Sequence, residues 1–265
     1  MTLRNFYDRH ESSILGVGFI VVLLAAWESV PLWTRLPRGM ALFFTTPSKI
    51  ATAFYALVTS GEIEKHIYVS AVAFLAGLGL SIIVGLPLGL IIGRWATLEA
   101  LVDPYITAFN ATPRIVLLPL LILWFGIGIW SKIIIVFAGA VFPLLINTYA
   151  GVKNVNRVLV NVVRSFGANE WQLMKIVVVP NAFPYIIVGL RLAVGRAILG
   201  VVVGEFFGSS QGLGYMIASA ATNYKIDVVF VGVFIFMALS VVLTFAVKQL
   251  ESRLASWRPE AAKSF

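Results

Sequence analysis

Residues 69–93 read VSAVAFLAGLGLSIIVGLPLGLIIG, without one charged side chain, and roughly 20 mostly apolar residues in a helix suffice to cross a bilayer. The run therefore reads as a membrane span. Inside it Ala73, Gly77, Ser81, Gly85, Gly89 and Gly93 put a small residue at every fourth position, which on a helix makes one flat ridge. In lipid, two apolar helices gain little by touching hydrophobically, so they associate through close backbone approach and dispersion. The ridge predicts that Gly77, Ser81, Gly85, Gly89 and Gly93 seat a second helix. It says nothing about a substrate.

Outward from this run the same pattern continues. Of the 265 residues, 60% are apolar and only 12% charged, a composition outside the range of soluble domains. Further apolar runs at 105–125, 133–151, 180–204 and 228–247 add spans, and Gly200 and Gly204 repeat the small-residue spacing. The first apolar run, 14–26, follows Arg4 and Arg9 and resembles the core of a secretory signal. No A-x-A site closes it, and it continues through Trp27, Glu28 and Pro31 to Trp33, so it reads as an uncleaved span anchored at the interface by Trp33. The fold class is all-α, a polytopic membrane protein of about six transmembrane helices. Pro87, Pro113, Pro119 and Pro143 lie inside apolar runs and predict kinked helices lining a cavity.

Charge sets an orientation. The formal charge is +8, but the basic residues are scattered singly between apolar runs, so they belong to loops and interfaces rather than to a nucleic-acid-binding stripe. With both termini inside, Lys153, Arg157, Arg164, Lys175, Lys248, Arg253, Arg258 and Lys263 fall on the cytoplasmic face, while Arg35, Arg38, Lys49 and Lys65 fall outside. The chain has no cysteine, which removes disulfides, thiolate metal sites and a cysteine nucleophile. His10 and His66 read as surface positions near membrane edges.

Between the fourth and fifth spans, residues 152–179 turn polar. Val158, Leu159, Val162, Val163 and Phe166 share one helical face, and Arg157, Asn161, Arg164 and Ser165 share the other. Gly167 interrupts this short amphipathic helix. Asn169, followed three residues later by Gln172, has the form of a capping box that starts a second helix, with Leu173, Met174, Val177 and Val178 as its apolar face and Pro180 as its stop. Two short helices meeting at a glycine make an elbow at the membrane surface. On physical grounds it is either an interfacial cap or a docking element for a partner.

Within the fifth span Arg191 and Arg196 need ion partners or a watery path, because a buried arginine is costly in lipid. Five residues apart, they point to different sides of the helix. Structural pairing with Glu205 or Asp103 and a place on a substrate path are both open, and Arg114, Arg191 and Arg196 are compatible with an anion. The loop from Glu205, EFFGSSQGLGYMI, reads as a gate, a docking surface or a plain connection. No phosphate loop, no metal-binding helix pair and no nucleophile elbow is present, so neither catalytic residue nor cofactor nor metal is expected. Work must come from movement driven elsewhere. An ion-coupled carrier or channel would show more carboxylates within the spans and an internal repeat. A membrane scaffold that recruits a soluble partner without transport is a third reading.

Residues 161–217, NVVRSFGANEWQLMKIVVVPNAFPYIIVGLRLAVGRAILGVVVGEFFGSSQGLGYMI, resemble the permease subunits of binding-protein-dependent ABC importers of the nitrate, sulfonate, taurine and bicarbonate group. That family's signature loop reads E-A-A, then a glycine four residues on, then I-x-L-P. Here Asn161, Val162 and Val163 replace E-A-A, Gly167 matches the glycine, and Val177, Val179 and Pro180 stand at the I, L and P positions. PLLILWFGIG from Pro119 and FPLLINTYAGV from Phe142 are similar to the same group, and the resemblance covers about 47–254.

The resemblance implies a bacterial inner-membrane permease without ATPase activity, working as a homodimer with two cytoplasmic ATP-binding subunits and a periplasmic substrate-binding protein. Asn161, Arg164, Ser165, Gly167, Ala168, Asn169 and Glu170 would carry the ATPase contact, and Arg114, Arg191, Arg196 and Glu205 the substrate pathway for an organic or inorganic anion. The expected organisation is a tail, first span and outer loop over 1–46, a permease domain over 47–254 with its elbow at 152–179, and a cytoplasmic tail over 255–265.

Overall fold

The computed structural model describes residues 3–33, 37 and 42–254, and every regular element among them is helical. Arg35, Arg38 and the tail over 255–265, with Arg258 and Lys263, lie outside the described residues. So do the side chains of Arg4, Arg9 and His10. The helices are α1 (Leu3–Trp33), α2 (Pro47–Thr59), α3 (Glu62–Arg94), α4 (Ala96–Ala111), α5 (Leu118–Phe125), α6 (Ile129–Lys153), α7 (Arg157–Ser165), α8 (Glu170–Leu173), α9 (Val179–Gly208), α10 (Leu213–Thr222) and α11 (Ile226–Leu254). A 3₁₀ turn over Arg114–Leu117 precedes α5, and a π-helical segment over Met174–Val178 joins α8 to α9. Among the described residues, α1 from Leu15, α3, α6, the continuous rod Glu170–Gly208 and α11 are long and apolar enough to cross a membrane. The pair Ala96–Ala111 and Arg114–Phe125 brings the number to six if it counts as one span.

That pair contains the span expected over 105–125 and the kink expected at Pro113, which takes the form of an 87° bend between two helices. Pro113 drives the bend. A proline pushes the residue before it out of the helical region, and Thr112 is extended at φ −67°, ψ 127°. Pro119 then sits in the first turn of α5, where a missing N–H costs nothing. Pro180 corrects an expectation, for it does not end the second elbow helix. The π winding just before it absorbs the lost donor and relieves the ring's clash with the preceding turn, so elbow and span form one rod.

Backbone contacts divide the chain into two compact units, Met1–Ile63 with Met216–Val233, and Glu64–Tyr215 with Phe234–Phe265. In the first unit Trp27 donates its indole N–H to the Thr45 carbonyl at 2.9 Å, and its ring lies 5.2 Å from that of Phe230. Glu28 accepts from the backbone N–H and hydroxyl of Ser48 at 2.9 and 2.7 Å. It thereby brings an anion to the first turn of α2, whose own cap residue, Thr46, makes no side-chain cap. Leu15, Val17, Phe19 and Val22 are exposed along α1, a surface suited to lipid.

In the second unit α6 is the central helix. The α3 ridge lies along it so closely that a Cβ at Gly77 would meet Val136 Cγ1 at 2.5 Å, one at Gly89 Thr148 Cβ at 2.6 Å, and one at Gly93 Val152 Cβ at 2.7 Å. At Gly85 the neighbour is the Val141 carbonyl at 3.2 Å. Ser81, fully buried, donates back to the Gly77 carbonyl at 2.8 Å and so hides its hydroxyl in the seam. From α9, Gly200 meets Val136 Cα and Gly204 meets Ile135 Cγ2 in the same way, at 2.8 and 2.9 Å. Ile135, Val136, Ala140, Leu144 and Thr148 of α6 are accordingly lost from the surface.

Candidate functional site

The elbow is built from local rules that do not depend on the bundle. Asn156 caps α7 by accepting from the Val158 N–H at 2.8 Å. Gly167, at φ +78°, ends α7 in a Schellman arrangement, with Gly167 N–H on the Arg164 carbonyl at 2.9 Å and Ala168 N–H on the Val163 carbonyl at 3.4 Å. Asn169 and Gln172 form the capping box reciprocally, at 2.8 and 2.9 Å. Glu170 then accepts from Arg164 of α7 at 2.7 Å and from Arg94, the last residue of α3, at 2.6 and 2.9 Å. The elbow is thus continuous with α9, follows directly on α6, and is tied to α3 by an ion pair.

The apolar residues of α7 divide differently from the single face read in the sequence. Val163, with Val160, packs on the cluster of Val152, Val155, Leu173, Val177, Val178 and Ala182. Val158, Leu159, Val162 and Phe166 stay exposed, Phe166 at 88%, and Trp171 on α8 is 76% exposed. The reason is that α7 touches the rest of the unit along one edge only. Of the expected docking residues, Asn161, Arg164, Ser165, Asn169 and Glu170 are exposed and Ala168 is half-buried.

Glu205 lies at the far end of α9 from the elbow, and it is fully buried. Both its oxygens accept from the Ser70 hydroxyl, at 2.8 and 2.9 Å, and one also accepts from the Gly214 N–H at 2.8 Å. Ser70 in turn accepts from the Leu213 N–H at 2.9 Å, His66 Nδ1 accepts from the Gly212 N–H at 3.0 Å, and Lys132 Nζ donates to the Gln211 carbonyl at 3.0 Å. Gly212, at φ +123°, presses its Cα against the Glu205 carboxylate where no side chain fits. The Gly- and Ser-rich loop is therefore a clamped segment. His66, expected at the surface, is 8% exposed. His66 and Ser70 lie four residues apart and so share one face of α3, but that spacing does not indicate the distant loop they meet.

The arginines separate as their five-residue spacing predicts. Arg191 pairs with Glu251 of α11 at 2.5 Å, which replaces the expected partners Glu205 and Asp103. Asp103 instead accepts from the Tyr149 hydroxyl at 3.0 Å. Arg114 sits at the Pro113 bend, donating through Nε to the Ala138 carbonyl at 3.1 Å and through Nη2 to the Asn110 side chain at 3.3 Å. The Arg196 carbonyl and Arg114 Cδ both lie near Gly139 of α6. Arg196 is exposed and forms no ion pair among the described residues. Arg114 is thus tied to the middle of α6 beside a bend. No group of three or more His, Cys, Asp or Glu among the described residues is placed to hold a metal ion.

Residues 85–256 match the family described as binding-protein-dependent transport system inner membrane component. A Bacillus subtilis protein named as an aliphatic sulfonates transport permease, SsuC, is 36% identical over 247 residues, covering 92% of this chain and 87% of its own. The taurine transport system permease protein TauC of Escherichia coli is 29% identical over 251 residues, with 93% and 90% covered. Among solved structures, the inward-facing MetNI methionine ABC transporter superposes with a TM-score of 0.66 at 18% identity, covering 72% of this chain and 95% of that one. The last likeness is one of fold.

Proposed function

Since this chain belongs to the family of binding-protein-dependent transport system inner membrane components, we propose that it lines the path of an ATP-driven importer for a small anion of the sulfonate kind. It is a multi-pass permease of the ABC class, a class that works with an ATPase and a binding protein. In this reading the chain hydrolyses nothing itself, pairs with a second copy, and engages two ATPase subunits from the inner face of a bacterial plasma membrane. The N- and C-termini and the elbow share that face, in keeping with the basic residues Lys153, Arg157, Arg164, Lys175, Lys248 and Arg253.

The observation that carries the reading is the elbow. It offers Val158, Leu159, Val162 and Phe166 outward while being locked behind by caps, an ion pair and a continuous rod into α9. An apolar helix face of this kind fits a groove on a partner. Moving a two-state bundle from 1:99 to 99:1 takes about 5.5 kcal/mol of differential binding, and a rigid handle transmits such a bias without dissipating it in bending. Asn161, Arg164, Ser165, Gly167, Ala168, Asn169 and Glu170 form the polar part of that handle.

For the pathway, the arrangement favours Arg114 and Arg196 as the anion-facing pair. Arg191 serves as a partner to Glu251, and Glu205 positions the loop over 209–214. The names of the relatives support a sulfonate or taurine more directly than nitrate.

Reconstitution into vesicles with the ATPase subunit and binding protein tests the proposal. Uptake should require ATP together with both partners, and Arg196→Gln should lower it while leaving capture of the ATPase intact. Uptake driven by an ion gradient alone would overturn the reading in favour of a secondary carrier.

A further inference from the structure

A cleft of about 480 Å³ opens behind the elbow, on the side of α7 away from its exposed apolar residues, within the size range of small-ligand sites. Its walls are the end of α3, the start of α4, the end of α6, and α7. Arg157, Asn161 and Arg164 are spaced i, i+4 and i+7, so one stripe of α7 looks into it. Arg94 and Lys153 face them from the ends of the two spans.

The charges do not balance. Lys153 is paired with Glu99 at 2.6 Å, whereas Arg94 and Arg164 share a single carboxylate, Glu170, at 2.6 and 2.7 Å. Arg157 has no ion pair among the described residues. Four cations against two carboxylates leave an excess of two positive charges over a half-open space. At the middle of the stripe stands the neutral amide of Asn161, so no acid there offsets them. A guanidinium carries five donors in a fork that matches oxyanions, and sharing one carboxylate leaves most of them available. The floor is apolar, from Val160, Leu173 and Val178, and accommodates a short alkyl group.

We propose that this cleft binds a small oxyanion of the phosphate, sulfate or sulfonate type, held by Arg157, Arg164 and the Asn161 amide. An occupant bridges the elbow helix to the ends of two spans, and so resists any movement of the one against the others. That consequence, a brake applied by accumulated product on the inner face, rests on the transport reading; the binding itself does not. The oxyanion is either a free solute or the headgroup phosphate of an anionic lipid.

Calorimetric titration of the purified full chain with methanesulfonate and with inorganic phosphate, against chloride at matched ionic strength, tests the site. Saturable binding is expected for both, weakened at least roughly tenfold in Arg157→Gln and abolished in Asn161→Glu, since a hydrogen bond to a charged group is lost and then a like charge added. Both positions are exposed, so thermal unfolding in chloride should not change and a misfolded variant is recognised at once. Native mass spectrometry after extraction from mixed phosphatidylglycerol and phosphatidylcholine vesicles covers the second source. Retention of phosphatidylglycerol that depends on Arg157 assigns the oxyanion to lipid and upholds the site. The proposal is overturned by the absence of both saturable binding and Arg157-dependent lipid retention. It is equally overturned if Arg157→Gln weakens only capture of the ATPase subunit, because the cleft is then a protein contact. Uptake without ATP would sink the transport reading and leave the titration untouched.

Discussion

Ser70 is donor to Glu205 and acceptor for the Leu213 N–H, so Ser70→Ala strands two buried polar groups at once. Each stranded group costs about 1–3 kcal/mol, and a lowered thermal midpoint in detergent is the expected readout. Because both residues act on one network, the loss in Ser70→Ala combined with Glu205→Gln should fall short of the sum, which a double-mutant cycle measures. The glycines of α3 supply a second contrast. A Cβ at Gly89 would meet the Leu145 carbonyl at 2.8 Å, whereas nothing lies within 4 Å of Gly79. Gly89→Ala should therefore lower the midpoint by forcing backbones apart. Gly79→Ala should hold or raise it, alanine being the better helix former by about 0.8–1.0 kcal/mol. The ridge was legible because a four-residue spacing of small side chains has few other uses in lipid. The clamp was not, since it joins residues 135 apart in the chain.

At the scale of the element, the elbow depends on a backbone conformation and a cap. Gly167→Val puts a β-branched residue at φ +78°, at a cost of roughly 1–2 kcal/mol, and Asn169→Ala removes the capping box at a cost of about 1 kcal/mol. Membrane insertion should be unaffected in both while capture of the ATPase subunit by the detergent-solubilised chain falls, more in the first. Normal capture by Gly167→Val would count against the elbow as the handle. Both short helices and the capping box were readable, because caps and glycine turns are written in four or five adjacent residues. The bend at Pro113 and the continuity through Pro180 show the limit of that local reading. Each proline removes a donor, but the backbone answers with an extended Thr112 before Pro113 and with a π turn before Pro180, two outcomes that the proline alone does not distinguish.

At the scale of the whole molecule, transport by vesicles containing the chain and both partners should stop when ATP is withheld, and proteolysis from the outer compartment should spare the elbow if it faces inward. What the sequence determined by itself is the solvent and the class: apolar runs of bilayer length with a small-residue ridge admit only packed helices in lipid, and the caps, glycine and proline of residues 156–180 specify an elbow. Tertiary structure decided which charged groups meet. Arg191 found Glu251 and not Glu205, Arg114 found the Ala138 carbonyl, and His66 and Ser70 closed on the loop at Gly212 and Leu213. Those outcomes turn on distances between helices far apart in the chain. Hydrophobic periodicity tells each helix which side to bury, but the pairing of polar groups is settled only when helices come close enough to exclude every other partner.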